Sequence, residues 1–187
     1  MQAIKTELED VFILEPQLFG DRRGWFLESW SKRRMEQAGL SYDFVQDNQS
    51  YSAKKGTLRG LHLQKGEAAQ AKLVRCARGA VYDVAVDLRE GSPTFCRWIG
   101  VMLSEENRRQ LLIPRGFAHG FLTLQNDTEF LYKADNYYAP QAEAVIRWND
   151  PTLAIDWGTD SPILNARDAG APCLQESGVR FLYQPKP

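Results

Sequence analysis

Apolar and aromatic residues along this chain recur at alternate positions over short runs, and each run is closed by Gly, Pro, Asn or Asp. Val11-Phe12-Ile13-Leu14 stops at Pro16, Gly24-Trp25-Phe26-Leu27-Glu28 follows the turn Gly20-Asp21-Arg22-Arg23, and Leu73-Val74-Arg75-Cys76 ends at Arg78-Gly79. The clearest alternation, Val81 to Asp87, sets Tyr82, Val84 and Val86 on one strand face and Asp83, Ala85 and Asp87 on the other. Further strands are predicted at 97–102, 111–113, 117–124, 128–134 and 144–148. Helix is sparse: Ser31 can cap a short one that runs to Ala38 and stops at Gly39, and Ser104-Glu105-Glu106-Asn107 has the form of a capped turn. About ten short strands with regular turn signals predict an all-β jelly roll with a few short helices. Inward residues from several strands converge at the mouth of such a roll, which is the natural place for a ligand.

Composition narrows the class. The chain has 187 residues, enough for one compact core and too few for two catalytic domains with a linker, and no repeat or low-complexity tract divides it. One domain over residues 1–187 is expected. With 23 Lys+Arg against 24 Asp+Glu the net charge is −1, so neither nucleic acid nor an anionic membrane is held by a broad basic field. Any bound anion must be met by a few local cations. Uninterrupted apolar runs fall far short of the ~20 residues that span a bilayer. Cys76, Cys96 and Cys173 show no CxxC spacing, and no charged-then-apolar leader precedes the first strand. A reduced, cytoplasmic protein without structural disulfides is expected.

There are only two histidines, His62 and His119, too few for a His-rich metal centre. His62 lies in Gly56-Thr57-Leu58-Arg59-Gly60-Leu61-His62-Leu63-Gln64, after the polar stretch Gln46 to Ser52. A lone histidine on a half-buried sheet is commonly just hydrogen-bonded there. Arg59, Gln64 and Lys72 close by in sequence point instead to a wet or liganded lining. His62 is the best general base by type, since an imidazole is mostly neutral at pH 7 yet accepts a proton. Tyr132, in Glu129-Phe130-Leu131-Tyr132-Lys133, is either a core tyrosine or the source of a phenolic proton. Lys72 is either a solvated edge-strand lysine or the cation that stabilises an enolate oxygen.

Pro114-Arg115-Gly116-Phe117-Ala118-His119 resembles the second motif of the cupin jelly rolls, in which a Pro-Gly turn feeds a strand with an inward histidine. Metal-binding cupins carry His-x-His in their first motif, whereas this chain reads His62-Leu63-Gln64. An amide is a poor ligand for iron, zinc or copper beside imidazole, and Lys72 opposes a bound cation, so no metal is expected.

The chain as a whole resembles the dTDP-4-dehydrorhamnose 3,5-epimerases, a cupin-like family. The resemblance rests on Phe19 to Glu28, Gln46 to Ser50, Leu58 to Gln64, Lys72 to Cys76, Val84 to Arg89, Ile113 to Phe121, Tyr137-Tyr138 and Ile146 to Pro151. It implies a double-stranded β-helix and a dTDP-4-keto-6-deoxyhexose substrate, whose C4 ketone acidifies the hydrogens on C3 and C5. It implies no cofactor. His62 is then the base, Tyr132 the acid on the other face and Lys72 the oxyanion stabiliser, with Asp168 paired to His62 and Asp83 a further member of the network. His119 is placed on the sugar or a phosphate, Arg59 on the diphosphate, and Gln46 and Asn48 on the nucleotide. Glu143 completes the site, and Arg23 and Glu28 come from a neighbouring subunit, so a homodimer is expected. Three segments depart from the family pattern: Asn165-Ala166-Arg167-Asp168 replaces Ser-x-Lys-Asp, so that Arg167 stands for the lysine that approaches the nucleotide, Cys96 replaces Gly, and Trp25 replaces Phe. The last two read as packing changes. The rival functions are an epimerase acting at C3 or C5 alone, a metal-dependent cupin oxygenase and a non-catalytic sugar-binding roll.

Overall fold

Strands form where the alternation predicts them, and also in places where it does not. The computed structural model describes residues 1–185. In chain order these are β1 (Gln2–Lys5), β2 (Phe12–Glu15), β3 (Leu18–Asp21), β4 (Gly24–Leu27), helix α1 (Lys32–Gln37), β5 (Gln46–Ser52), β6 (Leu58–Gln64), β7 (Lys72–Arg78), β8 (Ala80–Asp87) and β9 (Arg89–Glu90). There follow β10 (Trp98–Ser104), β11 (Gln110–Ile113), β12 (Phe117–Thr123), β13 (Thr128–Ala134), β14 (Glu143–Val145), helix α2 (Ala166–Ala169) and β15 (Phe181–Leu182). One antiparallel sheet has the order β1-β2-β11-β7-β13-β5 and the other β10-β8-β12-β6-β14. Together they make the cupin-like jelly roll.

The inward faces meet in an apolar core that joins Val74, Cys76, Leu111, Ile113 and Phe130 of the first sheet to Val81, Ala85, Val101, Leu103, Phe117 and Phe121 of the second. Phe121 and Phe130 stack with ring centroids 4.1 Å apart. Both outer faces are covered as well. Met35 of α1 and Leu40 pack on Leu14, Leu73 and Leu112, while Ile146, Leu153, Ile155 and Trp157 cover Leu58, Leu61, Leu63, Val84, Val86 and Ala118. Double coverage explains why β12 is buried at every position: a strand with no wet face reads as a continuous apolar run rather than as an alternation.

Four local results differ from the sequence pattern or refine it. The polar stretch at 46–52 is a strand, paired with β13 from Ser52↔Thr128 to Gln46↔Ala134. The predicted strand at 144–148 is shorter and earlier, at Glu143–Val145. Cys96 has φ 58°, in the left-handed region that glycine enters without strain, which gives the usual Gly of the family its reason. Trp25, by contrast, is 57% exposed on the β3–β4 hairpin with the Arg108 guanidinium 4.6 Å from its ring centroid, so it is a surface stacking residue rather than a change in core packing. Ser31 caps α1 by accepting the Arg34 N–H, as its position predicts. Among the described residues no helix is long and apolar enough to cross a membrane.

One buried ion cluster ties the N-terminal loop to the roll. The Asp87 carboxylate, fully buried, accepts hydrogen bonds from Arg89 Nε and Nη2 at 2.9 Å each, from Ser92 Oγ at 2.6 Å and from Thr94 Oγ1 at 2.7 Å. Arg89 reaches on to Asp10 at 2.8 Å and lies over the rings of Phe117 and Tyr183.

Candidate active site

Most of the polar residues singled out in the sequence collect on one side of the roll, where β5 and β14 are the sheet edges. Strand β6 brings His62 beside His119 of β12 in register, and Glu143 of β14 pairs with Gln64. From the opposite sheet, Lys72, Tyr132 and Asn48 share the inward face, because Lys72 pairs with Ala134 and Tyr132 with both Val74 and Asn48. The Lys72 ammonium lies 5.6 Å from the centroid of the Tyr132 ring. Strand β5 carries little apolar alternation because Gln46, Asn48 and Ser50 face this opening rather than the core.

His62 is held from behind. Its Nε2 is 2.8 Å from Asp168 Oδ1, and the other oxygen of that fully buried carboxylate accepts the Gly60 N–H at 3.2 Å. Asp168 comes from α2, which the alternation does not predict; Asn165 caps it by accepting the Asp168 N–H at 2.7 Å. Burial opposes charge on Asp168, but the hydrogen bond and charge of His62, the Gly60 amide and Arg167 outweigh it and hold the carboxyl below its ordinary range. Arg167 Nη2 also lies 3.2 Å from His62 Nε2. A guanidinium only donates and would need a lone pair on Nε2, which is absent when Nε2 carries the hydrogen given to Asp168. The shorter, charge-assisted bond to Asp168 sets the tautomer with hydrogen on Nε2, leaving the Nδ1 lone pair free. Arg167 is anchored instead by Glu143 Oε2 at 2.7 Å, to which Tyr138 donates its hydroxyl at 3.1 Å.

A second imidazole–carboxylate pair lies deeper. His119 Nε2 is 2.9 Å from Asp83 Oδ2, with both side chains buried. Burial lowers the His119 pKa, and the neighbouring Asp83 charge opposes that shift, so the ring is neutral at pH 7 and donates to Asp83. Burial likewise pushes the Lys72 ammonium down to about 8, against the charges of Asp83 and Glu143. Tyr132 moves the other way: burial, then Glu143 and Tyr138, raise its pKa, so its hydroxyl keeps its proton at neutral pH. Arg59 donates to Ser52 Oγ at 3.3 Å and to the Tyr51 carbonyl at 3.0 Å, bridging the two sheets beside the cluster. Gln64 is turned away to accept the Ala139 N–H at 2.9 Å. Among the described residues no group of three or more His, Cys, Asp or Glu side chains is placed to hold a metal ion.

The model of the dTDP-4-dehydrorhamnose 3,5-epimerase family matches residues 5–176. The chain is 57% identical over 179 residues to the dTDP-4-dehydrorhamnose 3,5-epimerase of Salmonella typhimurium, covering 95% of this chain and 97% of that one. The chain belongs to the dTDP-4-dehydrorhamnose 3,5-epimerase family. The crystal structure of the Bacillus anthracis epimerase, with TDP and pyrophosphate bound, has a TM-score of 0.90 at 52% identity, covering 92% of this chain and 99% of that one. The 3,5-epimerase of Legionella pneumophila in complex with dTDP-4-keto-L-rhamnose has a TM-score of 0.93 at 46% identity, covering 98% and 99%.

Within this epimerase fold, His62, Asp168, Arg167, Glu143, Lys72, Tyr132, His119, Asp83, Arg59, Gln46 and Asn48 stand on the same side of the roll. Arg23 and Glu28 do not join them. Arg23 is exposed at the tip of the β3–β4 hairpin, bonded to Asp21 at 2.6 Å, and Glu28 is paired with Arg34 at 3.0 Å. Two further residues, which the sequence marks only as parts of motifs, join the site in the structure. Tyr138, half exposed, takes its backbone N–H to Gln46 Oε1 at 3.0 Å. The other is Gly60. An aromatic pair in a polar loop is the signal that marks the first; nothing in periodicity marks the second.

Proposed function

We propose that the protein converts dTDP-4-dehydro-6-deoxy-D-glucose to dTDP-4-dehydro-L-rhamnose by inverting C3 and C5, with His62 as base, Tyr132 as acid and Lys72 as enolate stabiliser. The observation that carries this reading is the His62–Asp168 pair, which leaves Nδ1 of His62 free on the inward face of one sheet, with Lys72 and Tyr132 on the inward face of the other. His62 Nδ1 takes the proton from the carbon next to the C4 ketone, and the C–H electron pair moves into the enolate whose oxygen Lys72 meets with its positive charge. Asp168 stabilises the imidazolium that forms. Tyr132 then delivers its hydroxyl proton to the opposite face of the same carbon; it is reprotonated from solvent, and His62 releases to solvent the proton it took. Repetition at the second carbon completes the isomerisation, with no net redox change.

The remaining residues bind. Arg59 and Arg167 supply local positive charge for the diphosphate, His119, fixed by Asp83, contacts the sugar or a phosphate, and Gln46 and Asn48 receive the nucleotide with Glu143 at the rim. Arg23 and Glu28 act on the site of a second subunit. Support for a homodimer lies in the β3–β4 hairpin, where all four residues of β3 are exposed and Phe19, Trp25 and Phe26 are 49%, 57% and 67% exposed. An apolar two-stranded ribbon standing off the sheets is stable only when packed against something. Light scattering is expected to give twice the chain mass, and a fully active monomer would contradict the shared site. The whole chain acts as one epimerase domain in a reducing, cytoplasmic setting, a reading that the three free cysteines support.

Two outcomes test the roles. Tyr132→Phe is expected to lower epimerisation more than it lowers exchange of the C3 and C5 hydrogens with solvent, because the base can still remove and return a proton on its own side. Equal losses would make Tyr132 a substrate-positioning residue instead. For Lys72, kcat is expected to fall as pH rises through about 8, where the ammonium loses its charge. Lys72→Met is expected to remove that alkaline limb along with most of the activity; a limb that persists in the residual activity assigns it to another group.

A further inference from the structure

In a regular strand, residues three apart point to opposite faces. Strand β6 breaks this rule at the site. Leu58 and Leu61 both pack into the outer cluster with Leu63, while Arg59 and His62 both face inward, Arg59 opposite Phe121 and His62 opposite His119. The register explains it: three steps on β6 match two on β12, so β6 carries one extra residue, a β-bulge that restores the inward face after Arg59.

Glycines on both strands make room for it. A Cβ on Gly60 would stand 2.5 Å from Gly120 Cα, and one on Gly120 would stand 3.0 Å from the Arg59 carbonyl oxygen and 3.1 Å from Gly60 Cα. Gly60 also has φ 144°, which side chains rarely adopt. The same bulge aims the Gly60 N–H at Asp168 Oδ2, 3.2 Å away, while Oδ1 meets His62 Nε2 at 2.8 Å. One local distortion therefore orients the imidazole and anchors the carboxylate that fixes its tautomer.

We infer that the Gly60–Gly120 contact is a positioning device for the epimerisation base, acting on His62 through the bulge and through the Gly60 amide on Asp168. The inference rests on the assignment of His62 as base. Gly120 touches neither the reacting carbons nor the acid; its part is to let β6 close against β12 with the extra residue in place. Its absence of a side chain matters because a small displacement of a base costs rate without necessarily weakening binding.

The test is Gly120→Ala, alone and combined with Asp168→Ala, assayed with dTDP-4-dehydro-6-deoxy-D-glucose. In the otherwise unaltered protein, kcat is expected to fall roughly 10- to 100-fold while KM stays nearly constant. In the Asp168→Ala background the same substitution is expected to cost much less, because both changes act through one contact. Wild-type kcat in Gly120→Ala, or losses that simply add, would overturn the inference. Absence of epimerisation by the unaltered protein would instead overturn the functional reading. If Gly120→Ala does not fold, hydrogen exchange at the Gly60 amide decides: Asp168→Ala is expected to speed it selectively over neighbouring β6 amides, and unchanged exchange would contradict the anchor.

Discussion

Replacing His62 by alanine is expected to lower kcat by roughly 100- to 10,000-fold, the usual worth of a general base, while dTDP binding is retained. The two effects separate on the proposed roles, in which His62 meets the sugar and Gln46, Asn48 and Arg59 meet the nucleotide and diphosphate. Solvent exchange at C3 and C5 falls with kcat, since the same nitrogen opens both reactions. The Arg167 contact does not compensate: a guanidinium 3.2 Å from the imidazole only donates and cannot accept the substrate proton. Steady-state kinetics beside a dTDP titration checks this. Substantial residual turnover with intact exchange would remove His62 from the base role, and parallel loss of dTDP affinity would make it a binding residue.

Asp87→Ala is expected to have the largest effect on stability, about 3–5 kcal/mol, because it leaves a buried guanidinium short of its main partner. The carboxylate takes two side-chain bonds from Arg89 and one each from Ser92 and Thr94, and all of these groups are nine-tenths or more buried. Denaturant midpoints measure the loss. The same cluster predicts an acid limit. Burial opposes the charge of Asp87, but the hydrogen bonds from Arg89, Ser92 and Thr94 outweigh it and lower the pKa. A carboxyl lowered on folding contributes stability that is fully present above its unfolded value of ~3.9 and is lost as pH falls through the folded one. Asp87→Ala is therefore expected to flatten the acid side of the stability curve. A midpoint within about 0.5 kcal/mol of the unaltered protein, the range of ordinary surface changes, would show that the cluster is not a keystone.

The architecture was legible wherever one strand face is wet and the other dry. Val81 to Asp87 announced both faces, and Ser31 and Gly39 bracketed α1. Strand β5 was hidden because Gln46, Asn48 and Ser50 are polar on the face that points inward, so the signal of a strand vanished where a site required polar groups. For the site itself, residue chemistry alone nominated His62, Lys72 and Tyr132, which lie on three different strands. Family resemblance added Asp168, whose short helix carries no periodicity of its own. What neither route reveals is that Arg59 and His62 face the same way, since their spacing denies it. Only the bulge at Gly60 and the matching Gly120 supply the reason. Arg167 is a further case: the sequence shows a cation retained, whereas the structure shows it bound to Glu143 within reach of the His62–Asp168 pair.

In the proposed mechanism one base, one acid and one lysine on the same side of the roll invert two carbons flanking a ketone. Incubation of the protein with dTDP-4-dehydro-6-deoxy-D-glucose in deuterium oxide, with product read by NMR, tests it most directly. Deuterium is expected at both C3 and C5 of dTDP-4-dehydro-L-rhamnose, as that mechanism requires. Label at one carbon only, with the other configuration retained, would contradict it.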